Sequence, residues 1–97
     1  MIRHVVVLTW LPEATQAQKQ HVLDELATLP PLMRGLLSYS FGPDAGLVAG
    51  NADLAIVADF DDADAYLAYK GHPVHLDVMK NAVSPILQAR SAVQLQV

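Results

Sequence analysis

The chain holds 97 residues, 53% of them hydrophobic, with no cysteine and a net charge of −4. That length fits one domain over residues 1–97, and the missing cysteine excludes disulfides, thiolate nucleophiles and thiolate metal ligands. Six Lys+Arg scattered along an acidic chain form no basic stripe that would displace counterions from phosphate, so nucleic acid is not an expected partner.

Ile2 to Trp10 reads as the first strand, because Val5, Val6 and Val7 are β-branched and nearly every position is apolar, as in a strand covered on both faces. Alternation places Ile2, His4, Val6, Leu8 and Trp10 on one face and Arg3, Val5, Val7 and Thr9 on the other. Pro12 stops it. Thr15 followed by Gln18 matches a capping box, after which Val22, Leu26 and Leu29, with Leu23 beside them, give a helical stripe that Pro30-Pro31 ends near Leu29.

Leu36 to Phe41 reads as the second strand, and the glycine-rich segment from Gly42-Pro43 to Gly50-Asn51 reads as a loop. Ala52 to Phe60 is the third strand. Asp61-Asp62 caps a helix from Ala63 to about Lys70, since a carboxylate at a helix N-terminus accepts otherwise unpaired amides. Pro73 has no amide hydrogen and pushes His72 out of helical geometry, so a new helix is predicted to start at Pro73 with His72 near its N-cap. That helix runs through Leu76, Met79 and Val83 to Ser84-Pro85, and a last strand spans about Ala89 to Val97.

The order β-α-β-β-α-β is that of an α+β, ferredoxin-like domain with a four-stranded antiparallel sheet and both helices on one face. The other face then carries Val5, Val7, Ala55 and Val57, or else the parity reverses, and on either assignment it is apolar. A domain this small buries only roughly 60–65% of the surface its unfolded chain exposes. The mean hydropathy of +0.28 is high for such a globule, so the uncovered face calls for a homodimer. No basic leader segment or membrane-length apolar run is present, and a soluble, cytoplasmic protein without membrane partners is expected.

The chemistry gathers around the proline break. Tyr69, His72 and His75 lie close together there, and His4 lies on one face of the first strand with Val6 and Leu8, which would bring it to the cluster if that face meets the helices. Together they would line an apolar cavity with a few polar groups, the usual form of a small-molecule site. His75, near the first turn of its helix, should stay neutral against the positive dipole end and act as general base. Tyr69, one turn before the break, is expected at the cavity mouth as a hydrogen-bond donor, and His4 and His72 would orient or share charge. The milder reading keeps His4 as a satisfied core histidine, Tyr69 as a ring anchor and His72 as a cap. Three histidines also suggest a metal set, but the usual carboxylate or thiolate ligand is missing, so no metal is expected. No phosphate loop or nucleophile elbow is present, and no cofactor is expected.

Ile2-Arg3-His4-Val5-Val6-Val7-Leu8, Gly42-Pro43-Asp44, the segment Asp53 to Phe60, Tyr66, Tyr69 and His72-Pro73-Val74-His75 together resemble the stress-responsive A/B-barrel domain family. The resemblance covers nearly the whole chain and implies a homodimeric α/β barrel. A plant member cyclises a linear polyketide thioester to olivetolic acid with a histidine of a His-Pro-x-His motif as base, aided by a tyrosine and a first-strand histidine. By that resemblance His75, Tyr69 and His4 would be catalytic, and the cavity reading adds His72, Val6 and Leu8 as substrate-binding. The alternatives are a non-catalytic stress-responsive or ligand-binding protein and a cofactor-free monooxygenase.

Overall fold

β1 (Ile2–Trp10) lies inside a four-stranded sheet whose other members are β2 (Leu36–Pro43), β3 (Leu54–Phe60) and β4 (Leu87–Gln96), in the order β2-β3-β1-β4. All three pairings are antiparallel, and Val5 stands between Val57 on β3 and Val93 on β4. The computed structural model describes all 97 residues. Between the strands run α1 (Gln16–Leu26), α2 (Ala63–Gly71) and α3 (Pro73–Val78).

The alternation of β1 decides which face is covered. His4, Val6, Leu8 and Trp10 are buried, and Leu54, Ile56, Ala58 and Phe60 of β3 lie beside them. Against this layer pack Val22 and Leu26 of α1, Leu29, Tyr69 of α2, Val78 of α3 and the turns from Ala82 to Ile86. Burying each large apolar side chain contributes about 1.5–3 kcal/mol, so this helix-facing layer holds the domain together.

On the other face no element covers β1 and β3. Val5, Val7 and Val57 are half-buried, Ala55 is exposed, and Val93 and Leu95 of β4 are 50% and 44% exposed. The main polar feature there is Arg3, which donates through Nε and Nη2 to the two Asp59 carboxylate oxygens at 2.8 and 3.0 Å, while Ser38 adds a bond to Asp59.

Local signals explain most element ends. The Thr15–Gln18 capping box is formed in both directions, and the Asp62 carboxylate accepts from the Ala65 amide at 2.8 Å. α1 ends at Leu26 rather than Leu29, and Leu29 leads instead into a 3-10 turn at Pro30–Leu32. β2 runs on to Pro43, which an edge strand tolerates. β3 begins at Leu54 rather than Ala52, because Asp53 is used to finish β1: its amide donates to Leu8 and its carboxylate accepts from the Trp10 amide. Gly35 has φ +75°, and a Cβ there would come within 2.7 Å of the Ala65 methyl, so glycine lets β2 start tight against α2.

The last helical region differs most from expectation. α3 stops at Val78, a π turn covers Met79–Val83 and a 3-10 turn covers Ser84–Ile86, so β4 starts at Leu87 and not Ala89. Leu76, expected on the apolar stripe, is 53% exposed. No helix is long and apolar enough to cross a membrane.

Candidate functional site

Between β1 and the α2–α3 corner lies a cavity of about 190 Å³. Val6, Leu8, Ile56, Leu76 and Met79 form its apolar walls, and His4, Tyr66, Tyr69, Lys70, His75 and Arg90 supply the polar groups. Four other depressions, about 490, 380, 290 and 270 Å³, are larger and more open. Of these only the 270 Å³ groove is lined by a histidine or tyrosine, one of each, whereas the smaller, more enclosed space gathers two histidines and two tyrosines.

The proline break positions His75. His72 is extended, with φ −63° and ψ 133°, and Pro73 opens α3 at its first position. The turn that results brings the His75 ring against Tyr69, with centroids 4.4 Å apart, and sets His75 Nδ1 3.1 Å from the Lys70 carbonyl oxygen. A carbonyl only accepts, so Nδ1 carries the hydrogen and donates it, and Nε2 is left with its lone pair. His75 is held below the ordinary imidazole range, first by burial, against the opposing Lys70 hydrogen bond, and further by the positive Arg90 and by His72. Burial, not the dipole of a six-residue helix, is thus the main reason the ring stays neutral.

His4 is 4% exposed, and its Nδ1 lies 2.9 Å from the Gln94 side-chain amide nitrogen on β4, which donates to it. Its Nε2 therefore carries the hydrogen and has no protein acceptor. Burial, then the charge of Arg90, then His75 hold this imidazole down to about 4, so it is neutral at physiological pH. His4 and His75 are in opposite tautomers: one offers a hydrogen, the other a lone pair.

Tyr69 is 3% exposed and therefore part of the floor, not the mouth expected for it. Its ring packs on Phe60, with centroids 5.2 Å apart, and its hydroxyl oxygen is 3.2 Å from that of Tyr39. Burial raises both phenols above their ordinary value. Either hydroxyl can donate in that contact, and when Tyr39 donates the Tyr69 hydrogen is free for a ligand.

His72, placed with the cluster in the sequence reading, is not among the residues of this cavity. Its Nδ1 accepts from the Val74 amide at 3.1 Å as the N-cap of α3, and its ring borders a separate groove with Leu32, Met33 and Arg34. No group of three histidines or carboxylates lies close enough to share an ion.

Sequence reasoning missed Tyr39, Tyr66 as a wall, Gln94 and Arg90. Arg90 and Gln94 share parity on β4, and the pairing Arg90↔Leu8 and Gln94↔His4 puts both on the helix-facing side. That parity was readable. Tyr39 was not, because a register shift between Leu36 and Ser38 turns it inward opposite Ala58.

The sheet order, the single helical layer and this cavity define a ferredoxin-like α+β domain with an enclosed space between sheet and helices. The chain belongs to the stress responsive A/B barrel domain family, whose pattern matches residues 2–97. It is similar to a dimeric ferredoxin-like protein of unknown function from Thermobifida fusca, with 40% identity over 99% of this chain and 90% of that one, at a TM-score of 0.92. A family protein with a ferredoxin-like fold from Mesorhizobium loti is 19% identical over 99% of this chain and 95% of that one, with TM-score 0.81. Hydroxynitrile lyase from Passiflora edulis shares the fold at 17% identity, TM-score 0.84, over 99% of this chain and 92% of that one. Among proteins of curated function, none matches the chain.

Proposed function

We propose that the protein is a homodimer that binds a small carbonyl compound in the His4–Tyr69–His75 cavity and moves a proton at the carbon beside the carbonyl. The observation that carries this reading is the fixed tautomer of His75, whose Nδ1–H is spent on the Lys70 carbonyl while Nε2 keeps its lone pair. Nε2 takes the α-proton, and the electron pair moves onto the carbonyl oxygen as an enolate. The Tyr69 hydroxyl and His4 Nε2–H are the donors available to that oxygen, and a low-polarity wall strengthens both bonds. The proton then returns from the imidazolium to the same or a neighbouring carbon. Aldol- or Claisen-type cyclisation is one outcome of such an enolate.

The dimer is supported by the uncovered Val5, Val7, Val57 and Val93 and by the dimeric description of the Thermobifida fusca relative. Pairing the two open faces would close the barrel, with an interface above about 1,500 Å² in total.

A non-catalytic ligand-binding role has one observation in its favour: the Gln94–His4 and Tyr39–Tyr69 contacts already satisfy part of the polar cluster. Exchange of protons for deuterium at the methylene of α-ketobutyrate, followed by proton NMR, separates the two. Acceleration by the wild type that falls on the order of 10²–10⁴-fold in His75→Gln is expected. Equal rates in the two proteins would leave only the binding role.

A further inference from the structure

We infer that the cavity selects substrates carrying a carboxylate, and that Arg90 is the residue that receives it. The inference rests on the proposed site and names the class of compound it takes. Arg90 lies on the helix-facing side of β4, opposite Leu8, and lines the cavity with Lys70. No aspartate or glutamate lines that cavity, although the chain as a whole has ten acidic residues against six basic ones. Arg3, by contrast, is tied to Asp59 on the other face. The Arg90 guanidinium makes no ion pair or side-chain hydrogen bond within the chain.

An arginine fork without a partner, at the edge of an apolar cavity that holds a base, matches a planar two-oxygen anion. A carboxylate fits better than a phosphate, because no glycine-rich nest or long-helix N-terminus faces the space to satisfy a third oxygen. The size agrees. A volume of about 190 Å³ equals the liquid share of roughly six waters, which suits a compact keto acid.

The placement has a chemical consequence. The charge of Arg90 is one of the influences that keep His4 and His75 neutral. A bound carboxylate offsets that charge, so His75 becomes a stronger base when substrate is present. Arg90 thus positions the substrate while His75 takes the proton.

The experiment is calorimetric titration with α-ketobutyrate, its uncharged amide and inorganic phosphate, on wild type, Arg90→Gln and Arg90→Lys. Arg90 is exposed, so both variants should fold, which circular dichroism checks. The expected result is that wild type binds the acid about 10–100-fold more tightly than the amide, and that Arg90→Gln loses this preference. Arg90→Lys should keep only part of it. Equal binding of acid and amide, no binding of the acid, competition by phosphate at equal strength, or an unchanged Arg90→Gln would each overturn the inference. Titrating His75→Gln separates it from the proposed function. Preference for the acid without any deuterium exchange keeps the carboxylate site and removes the catalytic reading, whereas exchange without the preference does the reverse.

Discussion

The two faces of the sheet use similar residues and meet opposite surroundings. On β1, Val6 and Leu8 are buried under helices while Val5 and Val7, their immediate neighbours, remain half-open. The polar groups reverse the usual order: His4 sits in the covered layer at 4% exposure, and the Arg3–Asp59 ion pair occupies the uncovered one. Apolar character alone therefore does not mark the core here, and a charge need not mark free surface. What separates the faces is which side the connecting helices fall on, and that follows from the right-handed crossovers of the split β-α-β order.

Removing the covered layer should have the largest effect. Phe60 is fully buried beneath Tyr66 and Tyr69, and Phe60→Ala should cost about 3–5 kcal/mol in denaturant unfolding at fixed protein concentration. A loss below 1 kcal/mol, by the same scale, would mean that this layer does not carry the fold. Charging the uncovered layer tests the other half of the comparison. In a two-fold dimer, Val57→Asp places a carboxylate from each copy in the apolar interface, and the dissociation constant should rise by about 100-fold or more. Sedimentation reads this directly, and a variant that stays dimeric at micromolar concentration would remove the open face from assembly.

Mild acid should act mainly on the covered face, because the Asp59 carboxylate of the other face is held below its ordinary range by Arg3. The unfolded His4 imidazole takes up a proton near pH 6.5, whereas the folded one does so only near 4, so the unfolded state gains protons first as pH falls. The His4 contribution should be fully present above pH 6.5, decline between 6.5 and about 4, and level off below, where protonation of Asp59 adds a separate loss. Tyr66, Tyr69, His75 and Arg90 share the cavity with His4, and His75 is shifted in the same direction, so both histidines contribute to the slope. His4→Gln should flatten it in thermal melts taken across that range, and an unchanged slope would contradict the buried neutral state. The smallest effect compares matched hydroxyls. Tyr69→Phe leaves the Tyr39 hydroxyl without its partner and should cost about 1 kcal/mol, while Ser40→Ala on the uncovered side should stay within about 0.5 kcal/mol. Equal values would erase the distinction.

Much of this was legible in the residues. Strand parity puts His4, Val6 and Leu8 together because the register of β1 is unbroken from Ile2 to Leu8, and the local backbone rules of proline locate the α2–α3 break. Tertiary detail defeated the rest. The shift at Leu36/Ser38 reverses the sides that simple alternation gives to Tyr39, Ser38 and Ser40. The π turn at Met79–Val83 has no residue signature, since it reflects how the chain fits over the core. The tautomer of His75 depends on a carbonyl five residues earlier, brought near only by the corner that Pro73 makes.

The position of β1 also bears on how quickly the domain can form. Its hydrogen-bonding partners are residues 54–60 and 87–96, so this strand pairs only with segments synthesised much later than itself. During synthesis at roughly 5–20 residues per second, Ile2 to Leu8 waits several seconds as an unpaired, β-branched run. Such non-local pairing slows folding relative to helical domains of the same size. The waiting segment is also one that self-associates readily into cross-β pairings. The single basic residue within it, Arg3, interrupts the run early, so the side chain that later clasps Asp59 also guards the nascent strand against its own copies.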